Sequence, residues 1–167
     1  MDSDVTLYFT VGRGLLNGLT PYTDLFEMKP PIIFFLSALS LLLHGDEKLL
    51  SLLAIASYVV IACIPASYAW FLGKDKPWQH RTIAMLFGLT AGLFCIIYLF
   101  KWTNGMDIEV FGTCIVSLYA LTLVMPPKRL WLCRVFQAFC LFLSIGLKEY
   151  YVLITLAVAL VACSGWK

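Results

Sequence analysis

The residues of this chain that could do chemistry are gathered at its start. The opening DSDVTLYFTVGRGLLNGLTPYTDLFEMKPP holds the carboxylates Asp2, Asp4, Asp24 and Glu27 and the cations Arg13 and Lys29. A carboxylate in such a segment can take a proton from a hydroxyl, and a lysine can hold a phosphate as a point charge. Each residue also has a plainer reading. An Asp or Ser at a helix start caps free backbone amides, which fits Asp4 or Ser3. Asp24 sits in a Pro-Tyr-x-Asp turn, where Asp commonly bonds local backbone. Glu27 reads as a solvated charge, while Lys29 and Arg13 could extend into lipid headgroups. Further on, Asp107 and Glu109 open an apolar run, and Lys148-Glu149 separates two more. A Glu at that depth is expected to face protein or water rather than lipid. Carboxylates spaced i, i+2 do not share a helix face, so Asp107 and Glu109 make a weak metal pair. Lys148 is either a solvated turn residue or a contact for a lipid phosphate. His44 and His80 have no partner at ligand spacing. The sequence requires no cofactor; a divalent metal is compatible with the acids but has no ligand spacing behind it.

The elements that must position these residues are apolar. Hydrophobic residues make up 61% of the 167 and charged residues 13%, where a soluble domain carries about a quarter charged residues. The composition predicts an all-α, polytopic integral membrane protein. A net charge of +2, spread along the chain, argues against nucleic acid as a partner. The six cysteines lie in or beside apolar runs without CxxC spacing, as small buried hydrophobes do. The chain opens on acids rather than on the basic and apolar regions of a signal peptide. A polar membrane-edge opening without a preceding span reads as part of a larger protein, a partial transmembrane domain over 1–167.

Four runs, 48–72, 82–100, 108–125 and 130–147, are long enough to cross a bilayer, and 150–164 is slightly short. The run 31–44 reaches only about 21 Å as a helix. It is bounded by Pro30-Pro31 and HGDEK, which fits an interfacial or re-entrant helix. Residues 4–17 read as an amphipathic surface helix with Val5, Tyr8, Gly12, Leu15 and Leu16 at helical spacing and Gly18 as its stop. The loops 73–81 and 126–134 carry Lys74, Lys76, Arg81, Lys128, Arg129 and Arg134, which the positive-inside rule places in the cytoplasm. Residues 1–47, the loop 101–107 and the turn at Lys148-Glu149 then share the outer face, with 48–167 as the transmembrane helices. Nine of the ten acidic residues fall on that side, and only Asp75 inside. Trp70, Trp78, Trp102, Trp131 and Trp166 stand near span ends, as an aromatic belt does.

The pattern Asp4-x3-Tyr8, Gly18-x2-Pro21-Tyr22-x-Asp24, then Phe26-Glu27-x-Lys29-Pro30-Pro31 resembles the first outer loop of GT-C fold glycosyltransferases. The resemblance is to the group of protein O-mannosyltransferases and lipid A aminoarabinose transferases. Asn104-x4-Glu109 and Gly146-Leu147-Lys148 are similar to later parts of that group, and the order of spans matches over essentially the whole chain. The resemblance implies a membrane enzyme of the bacterial or archaeal cell envelope, facing outward, that moves a sugar from a polyprenyl-phosphate carrier. The acceptor would be a lipid, a glycan or a protein. It also implies Asp4 as general base and Lys29 as the basic residue on the carrier phosphate, with Asp24, Glu109, Arg13 and Lys148 as further substrate-binding candidates. One position departs from the group: a second acid often follows the first, and here that place is Val5, which leaves open whether the preceding acid, Asp2, takes that part.

Two other classes compete. A transporter would need charge or broken helices at mid-membrane, and Pro65 is the one mid-span proline. A non-catalytic membrane subunit would keep the spans without the chemistry, and Val5 leaves that reading open.

Overall fold

The structure, a computed structural model, describes residues 3–25, 29–103, 108–124 and 130–163. Asp2, Glu27, Asn104, Asp107, Lys128 and Arg129 lie outside the described residues, as does the side chain of Ser3. Among the described residues the fold is all-helical, with seven helices and no strand. They are α1 (Ser3–Leu16), α2 (Ile32–His44), α3 (Lys48–Leu72), α4 (Trp78–Thr103), α5 (Ile108–Val124), α6 (Leu130–Leu147) and α7 (Glu149–Cys163). Lys48–Leu72 and Trp78–Tyr98 are long and apolar enough to cross a membrane; the other apolar helices are shorter. The five expected spans therefore correspond to two helices of full length and three shorter ones.

Helix α4 starts earlier than hydropathy suggests. The Pro77 carbonyl accepts from the N–H groups of His80 and Arg81, so the polar stretch Trp78–Arg81 is already helical. Hydropathy reports which side chains suit lipid, not where backbone hydrogen bonding begins. A short turn through Gly73 folds α4 back antiparallel on α3, the most extensive helix pair. Gly88 and Gly92, four residues apart on one face, make that pairing close. A Cβ at Gly88 would meet the Pro65 carbonyl oxygen at 2.5 Å, and one at Gly92 the Ala62 oxygen at 2.5 Å. Small residues at this spacing let helix backbones approach where lipid supplies no hydrophobic drive.

The opening segment packs differently. Val5, Tyr8, Phe9 and Val11 of α1 are buried with Ile33 and Phe34 of α2, while Leu16, expected on the apolar stripe, is exposed. The core takes Phe9 and Val11 as well because α1 is covered on more than one side. It lies against α2 and is overlaid by the segment after Gly18. Tyr8 meets Phe34, and Gly12 meets Ser37 and Ala38, so α1 and α2 run parallel. Leu25 lies against Gly14 and Lys29 against Asp4, so the connection doubles back along α1. Tyr22 takes a left-handed backbone (φ 68°) in this connection, and its hydroxyl donates to the Lys29 carbonyl at 2.9 Å.

One apolar core unites these parts. It contains Val5, Tyr8 and Phe9 with Phe34, Leu50 and Ala54 of α3, Ile108 and Phe111 of α5, and Leu147 of α6. The start of α3, the start of α5, the end of α6 and the whole opening segment thus meet at one end of the bundle. The Gly73 turn and the start of α4 lie at the other.

Candidate functional site

Two acid–base pairs stand at the end where those elements meet. In the first, the Lys29 ammonium donates to Asp4 Oδ2 at 2.8 Å. Asp4 lies in the first turn of α1, where a carboxylate is favoured by the helix dipole. Lys29 reaches it because the connection doubles back and because Pro31 starts α2, its carbonyl accepting from Phe34 and Phe35. Tyr8, one turn after Asp4, completes the group: its hydroxyl is 3.4 Å from the Lys29 ammonium, which sits 4.8 Å above its ring centroid. Tyr8 is fully buried, so it gives the lysine a rigid floor. The Asp4 side chain is 44% exposed and that of Lys29 27%, so water or substrate can reach the carboxylate.

In the second pair, Lys148 bonds Glu109. Glu109 opens α5, and Lys148 is the single residue separating α6 from α7. The Tyr150 hydroxyl lies 3.3 Å from the same Glu109 oxygen, and the Tyr151 hydroxyl donates to the Glu109 carbonyl at 2.9 Å. The Lys148 ammonium also sits 5.2 Å from the Tyr150 ring centroid. Each pair thus belongs to a group of three, a carboxylate, an ammonium and a tyrosine.

The two groups border the same core. Val5 follows Asp4, Ile108 precedes Glu109, and Leu147 precedes Lys148, and all three belong to that core. Gly146, two residues before Lys148, lies directly against Ile32, three residues after Lys29, where any Cβ would collide with the isoleucine side chain. The resemblance of the sequence motifs pointed to Asp4, Lys29, Glu109 and Lys148 but not to how they pair. Tyr8 and Tyr150 were not singled out as site residues, although the i, i+4 spacing from Asp4 to Tyr8 carried the signal.

Asp24 and Arg13 are not brought to either pair. The Asp24 carboxylate accepts from the Thr20 N–H at 2.7 Å, and its own N–H donates to the Thr20 carbonyl at 3.0 Å, closing the turn. Arg13 is exposed and borders a cavity of about 230 Å³ with Phe9, Leu41, Asp46 and Glu47. Beside it, Asp46 pairs with Lys48 at 2.7 Å and accepts from the Lys48 N–H at 3.0 Å; these bonds hold its carboxyl below the usual range. Among the described residues no three His, Cys, Asp or Glu side chains converge as metal ligands would.

Compared with known proteins, the chain matches no family model, no curated protein and no solved structure.

Proposed function

We propose that this protein is a polytopic membrane glycosyltransferase of GT-C type, which moves a sugar from a polyprenyl-phosphate donor to an acceptor hydroxyl at the outer face. The observation that carries the reading is the Asp4–Lys29 pair, two residues 25 positions apart in the chain held at 2.8 Å over a buried tyrosine. The likeness of the opening motif to that enzyme group adds the substrate class. Further support comes from the shared core, which gathers the helix ends that charge distribution assigns to a single face.

The chemistry follows from exchanging ion partners. At rest Lys29 neutralises Asp4. A donor phosphate entering the site takes the lysine as its counter-ion and leaves Asp4 as a free acceptor. The acceptor hydroxyl attacks the anomeric carbon, its proton passes to Asp4, and a C–O bond forms as the sugar–phosphate C–O bond breaks. The electron pair leaves on the carrier phosphate, which Lys29 stabilises. Lys148 borders the same apolar core and would be the second positive charge offered to that phosphate, with Glu109 and Tyr150 setting its position.

The test compares wild type with Asp4→Asn and Lys29→Ala in membranes at equal expression, following sugar transfer and donor binding separately. Loss of transfer with donor binding kept in Asp4→Asn, and weakened donor binding in Lys29→Ala, support the mechanism. Unchanged transfer in Asp4→Asn sinks it. A second reading, a non-catalytic subunit in which the pair only clasps α1 to the chain before α2, is favoured by how well the two charges satisfy each other. It predicts that both substitutions lower stability while no donor supports transfer in the wild type.

A further inference from the structure

The opposite end of the bundle carries a feature the transferase reading does not use. Between the second half of α3 and the first half of α4 lies a cavity of about 430 Å³, lined by Cys63, Ser67, Trp70, Phe71, Met85 and Leu89. Its walls are almost wholly apolar, and its volume falls within the range of ligand-binding cavities. The Arg81 guanidinium stacks on Trp70, 3.8 Å from the ring centroid. The stack fixes a planar cation beside the cavity wall. Arg81 Nε is buried and has no hydrogen-bond partner among the described residues. A buried polar donor without a partner costs free energy unless something accepts from it. Lys74 and Lys76 stand exposed in the adjoining turn, with Asp75 as the one acid there.

An apolar slot ending at a fixed cation and two more lysines is complementary to a molecule with a hydrocarbon tail and an anionic head. The helices that form the slot are the two long and apolar enough to cross a membrane, so the molecule at hand there is a lipid. We propose that this cavity binds one anionic phospholipid, with an acyl chain between α3 and α4 and its phosphate on Arg81, assisted by Lys74 and Lys76. The site is independent of the sugar-transfer reading: it rests on other residues at the other end of the fold. Its role is to brace the α3–α4 hairpin against the bilayer edge, where basic residues attract anionic headgroups.

The experiment reconstitutes the protein in nanodiscs of phosphatidylcholine alone or with a fraction of phosphatidylglycerol and reads thermal unfolding. Phosphatidylglycerol is expected to raise the midpoint by about 5 °C, as ligand binding to the native state does. Arg81→Gln should remove most of that rise, and Ser67→Phe, which fills the slot, should remove it too. Each variant should unfold in a single cooperative transition in phosphatidylcholine alone, which shows that it folds, and its lipid response is read against that baseline. Equal midpoints in the two lipids for wild type would overturn the proposal. So would a phosphatidylglycerol response surviving in Arg81→Gln. A response surviving in Ser67→Phe, or reproduced by soluble glycerol phosphate, would mean the headgroup binds without the slot and would equally overturn it.

Discussion

The two ends of this bundle handle charge in opposite ways. At one, Asp4 pairs with Lys29 and Glu109 with Lys148, each beside a tyrosine and above a core drawn from α1, α2, α3, α5 and α6. At the other, Arg81 stacks on an aromatic ring, and Lys74 and Lys76 are exposed. The first arrangement brings distant parts of the chain together and balances its own charge. The second leaves positive charge beside an apolar slot for something outside the chain. Burial follows the same division. One third of the apolar window of α3 is buried, but only 6% of that of α4, which packs on α3 through a small-residue face and on α5 near Cys95 and Ile96. Charges matched internally suit a site that a ligand opens by breaking a pair, as proposed for Asp4 and Lys29; unmatched charge suits a surface that recruits.

The contrast can be broken by substitution, and the largest effect is expected at Asp4. Asp4→Asn should lower sugar transfer by about 10²–10⁴-fold, the usual contribution of a general base. Donor binding should be little changed when measured on the same membranes. Next comes Gly92→Leu on the α4 face: its side chain must displace the Ala62 backbone, at a cost of about 1–3 kcal/mol, the range for overpacking. That loss should appear as a lower unfolding midpoint in detergent.

A smaller effect separates the two ion pairs. A double-substitution cycle on Glu109→Gln and Lys148→Met should give a coupling of about 1 kcal/mol, because both side chains are about two-thirds or more covered. The same cycle on Asp4 and Lys29 should give less, because Asp4 is 44% exposed and water screens it. Equal couplings would contradict the view that the second pair is the more structural. The smallest effect lies at Asp46. Its carboxyl is held below the usual range, so its contribution is present above about pH 3.9 and lost as pH falls further. Asp46→Asn should flatten that part of the acid limb of the unfolding midpoint without altering it near neutrality.

Much of the fold was legible in the sequence because it is local. The bounds of α3 and α6 follow from where apolar runs meet charge or glycine, and α2 ends where HGDEK begins. Asp4 and Lys29 could be singled out from residue type and motif. That they pair could not, because the pairing depends on the connection doubling back along α1, with Tyr22 in a left-handed conformation no sequence rule assigns to tyrosine. Asp24 shows the reverse: its turn chemistry was readable, and that turn is where its carboxylate is spent.

What the sequence determined by itself is the helical, apolar class of the protein, the positions of its helices and the short roster of residues able to do chemistry. Hydropathy and helix signals act over a few neighbouring residues, so they survive without tertiary information. What only the tertiary structure decided is partnership: Lys29 with Asp4 over Tyr8, Lys148 with Glu109 beside Tyr150, and Arg81 on Trp70 beside an apolar cavity. The three charged partnerships join residues 11, 25 and 39 positions apart. They are set by how helices close on one another through small residues and a common core, a distance over which local pattern carries no information.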